Sequence, residues 1–333
     1  MPYKWIAKRI DALDEERDCD EIWKLMSAYR ANDFVMNLIY AVTFPHFIIS
    51  EFGAKVLLDG GKGKIIRAAD RRADDTSWKM QTWWHYGPSH EETKRNVESI
   101  NRTHAFYAKK YPDEGPDTFG DDDIYMYTLC DEAAGMHRLL QRVGLRGYSE
   151  KEKRVAVRFW TKMTGLFINV KANKPVSGYP ETFEDVMAFM DKYESRDLDG
   201  EHPLGIEAVR HVIGQFGNRY FPRSLRWFAR LWVISLLPDW MLGVYKITAP
   251  NRLVIKLFRF GTAAFFWVGD RLAPDPKDTF IERRDMRLAA CGAGSLPDPQ
   301  REVSSVGACP FHMHAERKQS SAEAGYENRQ DPL

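Results

Sequence analysis

Helical periodicity is the feature that most constrains the fold of this chain. Apolar residues recur every three or four positions through most of it, as in segments 17–42, 65–86, 124–143 and 250–268. This spacing covers one face of an α-helix, whereas a half-buried strand needs strict alternation. The sequence shows no series of alternating segments and no set of Asn-Gly hairpins. It therefore predicts an all-α fold, a single large globin-like helical bundle.

Several local signals mark where the predicted helices begin and end. Pro45 ends the first helical stretch, and Gly87-Pro88 ends the helix that starts near Ile65. Ser149 followed by Glu152 is the pattern of a capping box, and Thr182 with Asp185 starts a helix in a similar way. Further helices are predicted at 47–58, 90–110, 149–170, 203–218 and 223–236.

The last forty or so residues differ from the rest. From about Gly292 the chain is rich in Pro, Ser, Glu, Gln and Arg and has few large apolar residues. We predict an all-helical domain at 1–290 and a disordered tail at 291–333. Cys309, His312 and His314 are soft ligands close together in that tail. Because they lack a second ligand pair, we interpret them as adventitious metal binders.

Charge and cysteine usage exclude some classes of protein. The 48 basic and 47 acidic residues give a formal charge of +1, so we expect no nucleic-acid partner. The four cysteines form no CxxC pair, which is typical of a reducing cytoplasm. The N-terminal residues are charged throughout, unlike a secretion signal. We expect a cytoplasmic protein.

The segment 223–268 combines aromatic and basic residues. Nine Lys or Arg lie between Arg219 and Arg271, against two Asp, and four Trp lie within the segment itself. The apolar runs carry charges and are too short for a membrane span. Two interpretations stay open. Either these helices pack in the core with Arg stems covering its edge, or they form a surface that rests on anionic lipid and admits an apolar substrate.

His104 lies in the middle of the apolar stripe of the predicted helix 90–110, between Ile100 and Ala108. A buried imidazole needs partners for both ring nitrogens. One solution is a metal on one nitrogen and a hydrogen-bond acceptor on the other; another is two ordinary hydrogen bonds in the core. Periodicity leaves both open, and His137, beside the stripe of the following helix, is the alternative ligand.

Arg72, Thr76, Met80 and Trp83 share one face of the preceding helix. A hydroxyl that orients dioxygen and a cation that stabilises negative charge developing on it would suit an oxygen-binding pocket. The alternative is an Arg72 paired with Asp75 or with a neighbouring helix, and a Thr76 hydroxyl bonded back to its own helix.

The order and spacing of these motifs resemble one known family. Arg72-Ala-Asp-Asp-Thr76 lies on a helix closed by Gly87, and Ile100-Asn-Arg-Thr-His104-Ala follows, with His104 28 positions after Thr76. The Gly144…Ser149-x-x-Glu152 and Pro180-x-Thr182-x-x-Asp185 steps also match. Together, over roughly residues 30–290, they resemble the latex-clearing-protein/MpaB-like oxygenases, all-α proteins that bind haem b.

The resemblance implies roles for individual residues. His104 would be the metal ligand that holds haem b, with Arg72 and Thr76 on the distal side. We add Met80 and Trp83, from the same helix face as Arg72 and Thr76, as residues that border the cofactor pocket. Rubber-cleaving members carry Lys immediately before the distal Thr, where this chain has Asp75. A carboxylate cannot act as a cationic sixth ligand, so we expect an open iron position or a different ligand. Those members also use an upstream Glu as a base, and here the candidate is Glu51.

The function that the resemblance implies is haem-dependent oxygenation of an apolar small molecule by dioxygen. Cleavage of a carbon–carbon double bond in an isoprenoid or other unsaturated chain is one form, and hydroxylation is the other. Two alternatives stay open: a haem-free lipid or prenyl carrier at a membrane surface, and a haem-binding sensor or store without turnover. A visible absorption spectrum and an oxygen-consumption assay distinguish the three.

Overall fold

The computed structural model describes residues 3–196 and 202–290. Within these ranges the chain forms sixteen α-helices and one pair of two-residue strands. The predicted all-α fold is therefore confirmed, while a globin-like arrangement of the helices stays a prediction. The predicted tail, with Cys309, His312 and His314, lies outside the described residues.

The helices of the first part of the chain are α1 (Trp5–Ala12), α2 (Cys19–Met26), α3 (Asp33–Thr43), α4 (Glu51–Leu58), α5 (Lys64–Arg67), α6 (Ala69–Tyr86), α7 (Glu91–Lys110) and α8 (Gly115–Thr118). Those that follow are α9 (Asp122–Arg142), α10 (Glu150–Thr164), α11 (Phe183–Glu194), α12 (Pro203–Tyr220), α13 (Arg226–Leu236), α14 (Asp239–Val244), α15 (Arg252–Arg271) and α16 (Phe280–Ala290). The antiparallel strands are β1 (Ile168–Asn169) and β2 (Lys174–Pro175).

The chain divides into two units, Met1–Phe280 and Ile281–Leu333. The first unit contains α1 to α15 and everything described below. The domain boundary that the sequence predicts at residue 290 stays a prediction.

The predicted helix signals act as expected. The Ser149 side chain accepts a hydrogen bond from the Glu152 amide, and the Glu152 carboxylate accepts one from the Ser149 amide at 2.7 Å. Thr182 caps α11 by accepting from the Asp185 amide at 3.1 Å. Pro45 lies in a short 3-10 helix, Phe44–Ile48, that follows α3.

Two predicted boundaries were wrong. The helix predicted from Ile65 is divided into α5 and α6 at Ala68, whose backbone is not helical (φ −148°, ψ 57°) although no Gly or Pro marks the position. The helix predicted to continue to residue 170 ends at Thr164. Beyond it, the Asn169 side chain donates to the Gly120 carbonyl at 2.8 Å and accepts from the Ala172 amide at 2.8 Å. These bonds hold the chain in the β1–β2 turn.

Two buried apolar clusters form the core of the first unit. The first cluster includes Trp23, Trp83, Trp84, Trp160 and Phe159. The second includes Tyr40, Phe44, Phe216, Met241 and Tyr245. Helices α3, α6 and α9 contribute side chains to both clusters. Helix α6 contributes large side chains, among them Trp83 and Trp84, to the first cluster and Ala73 to the second.

Helices α6 and α7 form an antiparallel pair joined by a tight turn. Gly87 ends α6 with φ +78°, and a Cβ there would lie 3.0 Å from the Asp20 carboxylate. Across the pair, the Trp83 indole N–H donates to the Asn96 side chain at 2.9 Å, and Lys79 donates to the Ser99 hydroxyl at 2.6 Å. This antiparallel register brings the C-terminal half of α7 level with the start of α6.

Candidate functional site

His104 lies on α7 with its ring enclosed by residues of three other segments. Its Nδ1 lies 3.2 Å from the Tyr125 hydroxyl oxygen of α9. The Phe119 ring, between α8 and α9, stacks on the imidazole with centroids 4.6 Å apart and planes 20° apart. Burial, together with the positive charge of Lys79, lowers the pKa of His104 from 6.5 to about 4. The imidazole is therefore neutral at pH 7.

The two ring nitrogens of His104 differ in their surroundings. Nδ1 contacts Tyr125, whose own pKa is raised by burial, so that its hydroxyl stays protonated. Among the described residues Nε2 has no hydrogen-bond partner. If Nδ1–H donates to the Tyr125 oxygen, Nε2 keeps its lone pair. This is how a metal-ligating histidine is oriented by a second group.

Arg72 and Thr76, one turn apart on α6, contact each other. The Arg72 guanidinium donates to the Thr76 hydroxyl oxygen and lies over the Phe44 ring, 4.9 Å from its centroid. The Thr76 hydroxyl donates to the Arg72 carbonyl at 3.0 Å. Asp75 pairs with Lys64 at 2.9 Å, not with Arg72. The hydrogen bond from Thr76 back to its own helix, which the sequence left open as an alternative, is therefore observed. The Arg72–Asp75 pair is not.

The register between α6 and α7 indicates where Arg72 and Thr76 lie along the helix pair relative to the His104 imidazole. From the Trp83–Asn96 contact to the Lys79–Ser99 contact, the residue number falls along α6 and rises along α7, so the two helices are antiparallel. Extending this register by one more turn places His104 level with the step from Arg72 to Thr76. The charge of α6 that acts on the pKa of His104 is that of Lys79, which lies one turn beyond Thr76.

Met80 and Trp83 are buried in the first core cluster. The Trp83 ring packs edge-on against Trp160 at 6.3 Å and Phe167 at 5.9 Å, and its N–H is bonded to Asn96. Both residues thus have packing roles, and their predicted contact with a cofactor stays a prediction.

Glu51 is the first residue of α4 and is exposed. Its carboxylate makes no hydrogen bond or ion pair with any described residue. The next residue, Phe52, packs edge-on against Phe119, with the two ring centroids 5.4 Å apart. The predicted role of Glu51 as a base stays a prediction.

His137, the alternative ligand, has an ordinary structural environment. Its Nδ1 accepts a hydrogen bond from the Tyr148 amide at 2.9 Å, and its ring packs against Phe183 at 5.1 Å. A Cβ at Gly147 would lie 2.6 Å from this ring, so the loop before α10 closes tightly over it.

Sequence reasoning missed the residues that surround His104, namely Phe119, Tyr125 and Lys79. Tyr125 lies in the acidic-aromatic start of α9, but periodicity places it only on a buried face. Its contact with His104 depends on how α7 and α9 pack, and no local signal reports that.

A second buried polar cluster was also missed. Arg138 of α9 donates to both carboxylate oxygens of Glu194 on α11, at 2.6 and 2.8 Å, and Tyr127 donates to the same group at 2.9 Å. Asp131 lies close by, and burial raises its pKa. This cluster ties α9 to α11.

The described residues contain no group of three or more His, Cys, Asp or Glu that could hold a metal ion. A haem iron takes four ligands from its porphyrin and needs only one or two from the protein. A single neutral imidazole with a free Nε2, such as that of His104, fits this requirement.

Two surface cavities have volumes of about 360 and 390 Å³. The first lies between α2, α10 and the loop at Tyr179, and the second between α7 and Leu166. The second borders Asn101, one turn before His104, but neither cavity is lined by His104 itself.

Comparison with known proteins adds one finding. A family model described as "ER-bound oxygenase mpaB/B'/Rubber oxygenase, catalytic domain" matches residues 52–266, which is well over half of the chain. The matched range contains Arg72, Thr76 and His104 and begins just after Glu51. A search of curated proteins found no match.

Proposed function

This chain belongs to the mpaB/rubber oxygenase catalytic-domain family, and from that premise we propose that it is a haem-b-dependent oxygenase. It is an oxidoreductase that acts with dioxygen on an apolar small molecule. The observation that carries the proposal is His104: a neutral imidazole with Nδ1 at Tyr125 and, among the described residues, no hydrogen-bond partner for Nε2.

His104 would hold the cofactor through Nε2. Tyr125 keeps the ring in one orientation through Nδ1, and Phe119, stacked on the imidazole, fixes the plane of the ring. The low pKa of His104 keeps a proton from competing for Nε2 at neutral pH. Haem b, when bound, supplies an iron that activates dioxygen.

Arg72 and Thr76 would provide the polar side of the pocket. Phe44 supports the Arg72 guanidinium, and this cation would stabilise negative charge that develops during the reaction. The Thr76 hydroxyl accepts from Arg72 and so holds its guanidinium in place. Because Asp75 is paired with Lys64, we propose that it supplies no ligand. The role of Glu51 rests on the resemblance alone, and those of Met80 and Trp83 rest on the helix face that they share with Arg72 and Thr76.

The substrate we propose is an isoprenoid or otherwise unsaturated chain, and the reaction is oxidative cleavage of its double bond or hydroxylation. We also propose that the protein works in the cytoplasm. The free thiols of Cys19 and Cys130, both buried, are consistent with a reducing compartment.

The test is the visible spectrum of the protein produced with ample haem. We expect a Soret band in the purified wild-type protein and its loss in His104→Ala. His137→Ala is the matched control and should keep full haem occupancy, with circular dichroism confirming that both variants are folded. A colourless wild-type protein, or a His104→Ala variant with full occupancy, would contradict the proposal.

A haem-free carrier of lipid or prenyl chains is the second candidate, and the exposed apolar side chains of α15 favour it. It predicts a colourless protein that copurifies with lipid. A haem sensor or store would show the Soret band but consume no oxygen with any apolar alkene.

A further inference from the structure

Helix α15 packs against α13 through one side only. The Trp232 indole N–H of α13 donates to the Thr262 hydroxyl at 2.8 Å, and Arg259 donates to the Ser235 carbonyl at 2.9 Å. The Phe258 ring lies 4.9 Å from that of Phe228. Thr262 is the one buried residue of the helix. These contacts define the inner side of α15 and leave the opposite side facing outward.

The outer side of α15 is apolar, although it is exposed. Leu253, Leu257 and Phe260 are 76%, 68% and 72% exposed, and Trp267 and Val268 extend the same stripe. Their spacing of three and four residues keeps them on one face of a helix roughly 30 Å long. Soluble monomers rarely expose a continuous apolar patch of this length, and such patches mark interaction surfaces.

Unpaired cations lie on α15 and at the start of the helix packed against it. Arg252 and Lys256 lie on α15 itself, and Arg223, Arg226 and Arg230 lie on or just before α13; all five are exposed. Within the described ranges none of the five forms an ion pair. Trp227, 61% exposed, lies among the arginines. We call this combined surface, the outer stripe of α15 and the exposed start of α13, the α15 face.

We propose that the α15 face docks peripherally on a bilayer that contains anionic lipids. The apolar stripe would insert at the boundary between the headgroups and the acyl chains. The tryptophans would lie at the membrane–water interface, and the cations would contact anionic headgroups. Since the inner side of α15 stays packed on α13, the helix would lie along the membrane surface. No helix among the described residues is both long and apolar enough to cross a membrane.

Two other occupants fit the α15 face less well. The segment after residue 291 has few large apolar residues with which to cover the stripe. A second copy related by two-fold symmetry would bring another five unpaired cations to the same interface, and the added positive charge is unfavourable. An anionic bilayer satisfies both the apolar and the basic parts of the surface.

The experiment is flotation of the full-length protein with two kinds of vesicle, phosphatidylcholine alone and phosphatidylcholine mixed with phosphatidylserine. We expect wild-type protein to float with the anionic vesicles and to bind them less as salt is raised. The double variant Leu257→Glu/Phe260→Glu should bind on the order of tenfold more weakly or worse, because two apolar anchors become charged. Arg226→Glu/Arg230→Glu should lose the preference for anionic vesicles.

The matched control is Phe106→Glu, which removes an aromatic ring of similar exposure (60%) from a different helix. It should float like the wild type, and melting curves should show that all variants are folded. Wild-type protein that fails to float at low salt, or α15 variants that float normally, would overturn the proposal. So would a wild-type dimer that the same substitutions dissociate, since the α15 face would then bind a second copy. Haem occupancy is measured separately and does not enter this test.

Discussion

At the scale of single residues, the candidate site depends on the hydrogen bond between His104 and Tyr125. The imidazole has one oriented nitrogen and one free nitrogen because Tyr125 approaches from α9 while Phe119 covers the ring face. In metal sites such outer partners typically change metal affinity by 10–100-fold, since they fix the tautomer and the ring orientation. We therefore propose that Tyr125 positions His104.

Tyr125→Phe tests this role. The substitution keeps the aromatic ring and removes only the hydroxyl, so we expect the fold to persist and haem to dissociate on the order of tenfold faster. Transfer of haem to an apo-globin acceptor measures the rate, and the Soret position reports the ligand environment. Tyr107→Phe, on the same helix as His104, is the control. Equal dissociation rates in wild type and Tyr125→Phe would show that the hydroxyl does not position the ligand.

Glu132 provides a residue-scale prediction on pH. Burial, with a contribution from the charge of Asp131, raises the pKa of Glu132 from 4.5 to about 8. Between these values the folded state keeps a proton that the unfolded state releases, so stability falls as pH rises from about 4.5 to about 8. Glu132→Gln removes this titration.

We therefore expect the melting temperature of Glu132→Gln to exceed that of wild type by an amount that grows from pH 4.5 to pH 8. Thermal melts at several pH values measure it. Glu150→Gln, at an exposed position on α10, should show no such growth. A difference that stays constant across this range would mean that Glu132 titrates normally in the folded protein.

At the scale of secondary-structure elements, the α6–α7 pair positions the site. The turn at Gly87 fixes how α6 and α7 are aligned. The contacts of Trp83 with Asn96 and of Lys79 with Ser99 hold the same alignment further along the two helices. Its backbone, at φ +78°, lies in the left-handed region that residues with a Cβ rarely adopt, and Asp20 leaves little room for one. A change at this turn should therefore act on a site several turns away.

Gly87→Ala should destabilise the protein by about 1–2 kcal/mol through backbone strain. It should also lower haem occupancy, because His104 and the Arg72–Thr76 step would shift relative to each other. Gly214→Ala in α12 is the control, since a Cβ there meets nothing within 4 Å and helical Gly is less favourable than Ala by about 1 kcal/mol. Denaturant titration measures the free energy of unfolding of both variants, and the Soret absorbance measures their haem occupancy. Equal stability of the two variants would exclude strain at Gly87.

At the scale of the whole molecule, prediction from sequence succeeded where a signal is local. The periodic stripes and the Ser149 and Thr182 caps located most of the long helices within a few residues, because these features depend on neighbours in the chain. Contacts such as those of Phe119 with His104, or of Arg138 with Glu194, join separate helices. They depend on packing, which one sequence reports only weakly, and so the surroundings of the candidate ligand appeared only in the structure.

Haem binding should stabilise the folded protein as a whole, since only the folded state brings Tyr125, Phe119 and His104 together. A ligand present at a thousand times its dissociation constant stabilises the folded state by about 4 kcal/mol. For a chain of this size that corresponds to a rise in melting temperature of several degrees or more. We expect added haem to raise the melting temperature of the apo wild-type protein and of His137→Ala, but not that of His104→Ala. Because haem also adsorbs to apolar surfaces, the decisive quantity is the difference between the two variants. A similar rise in both would mean that haem binds away from His104.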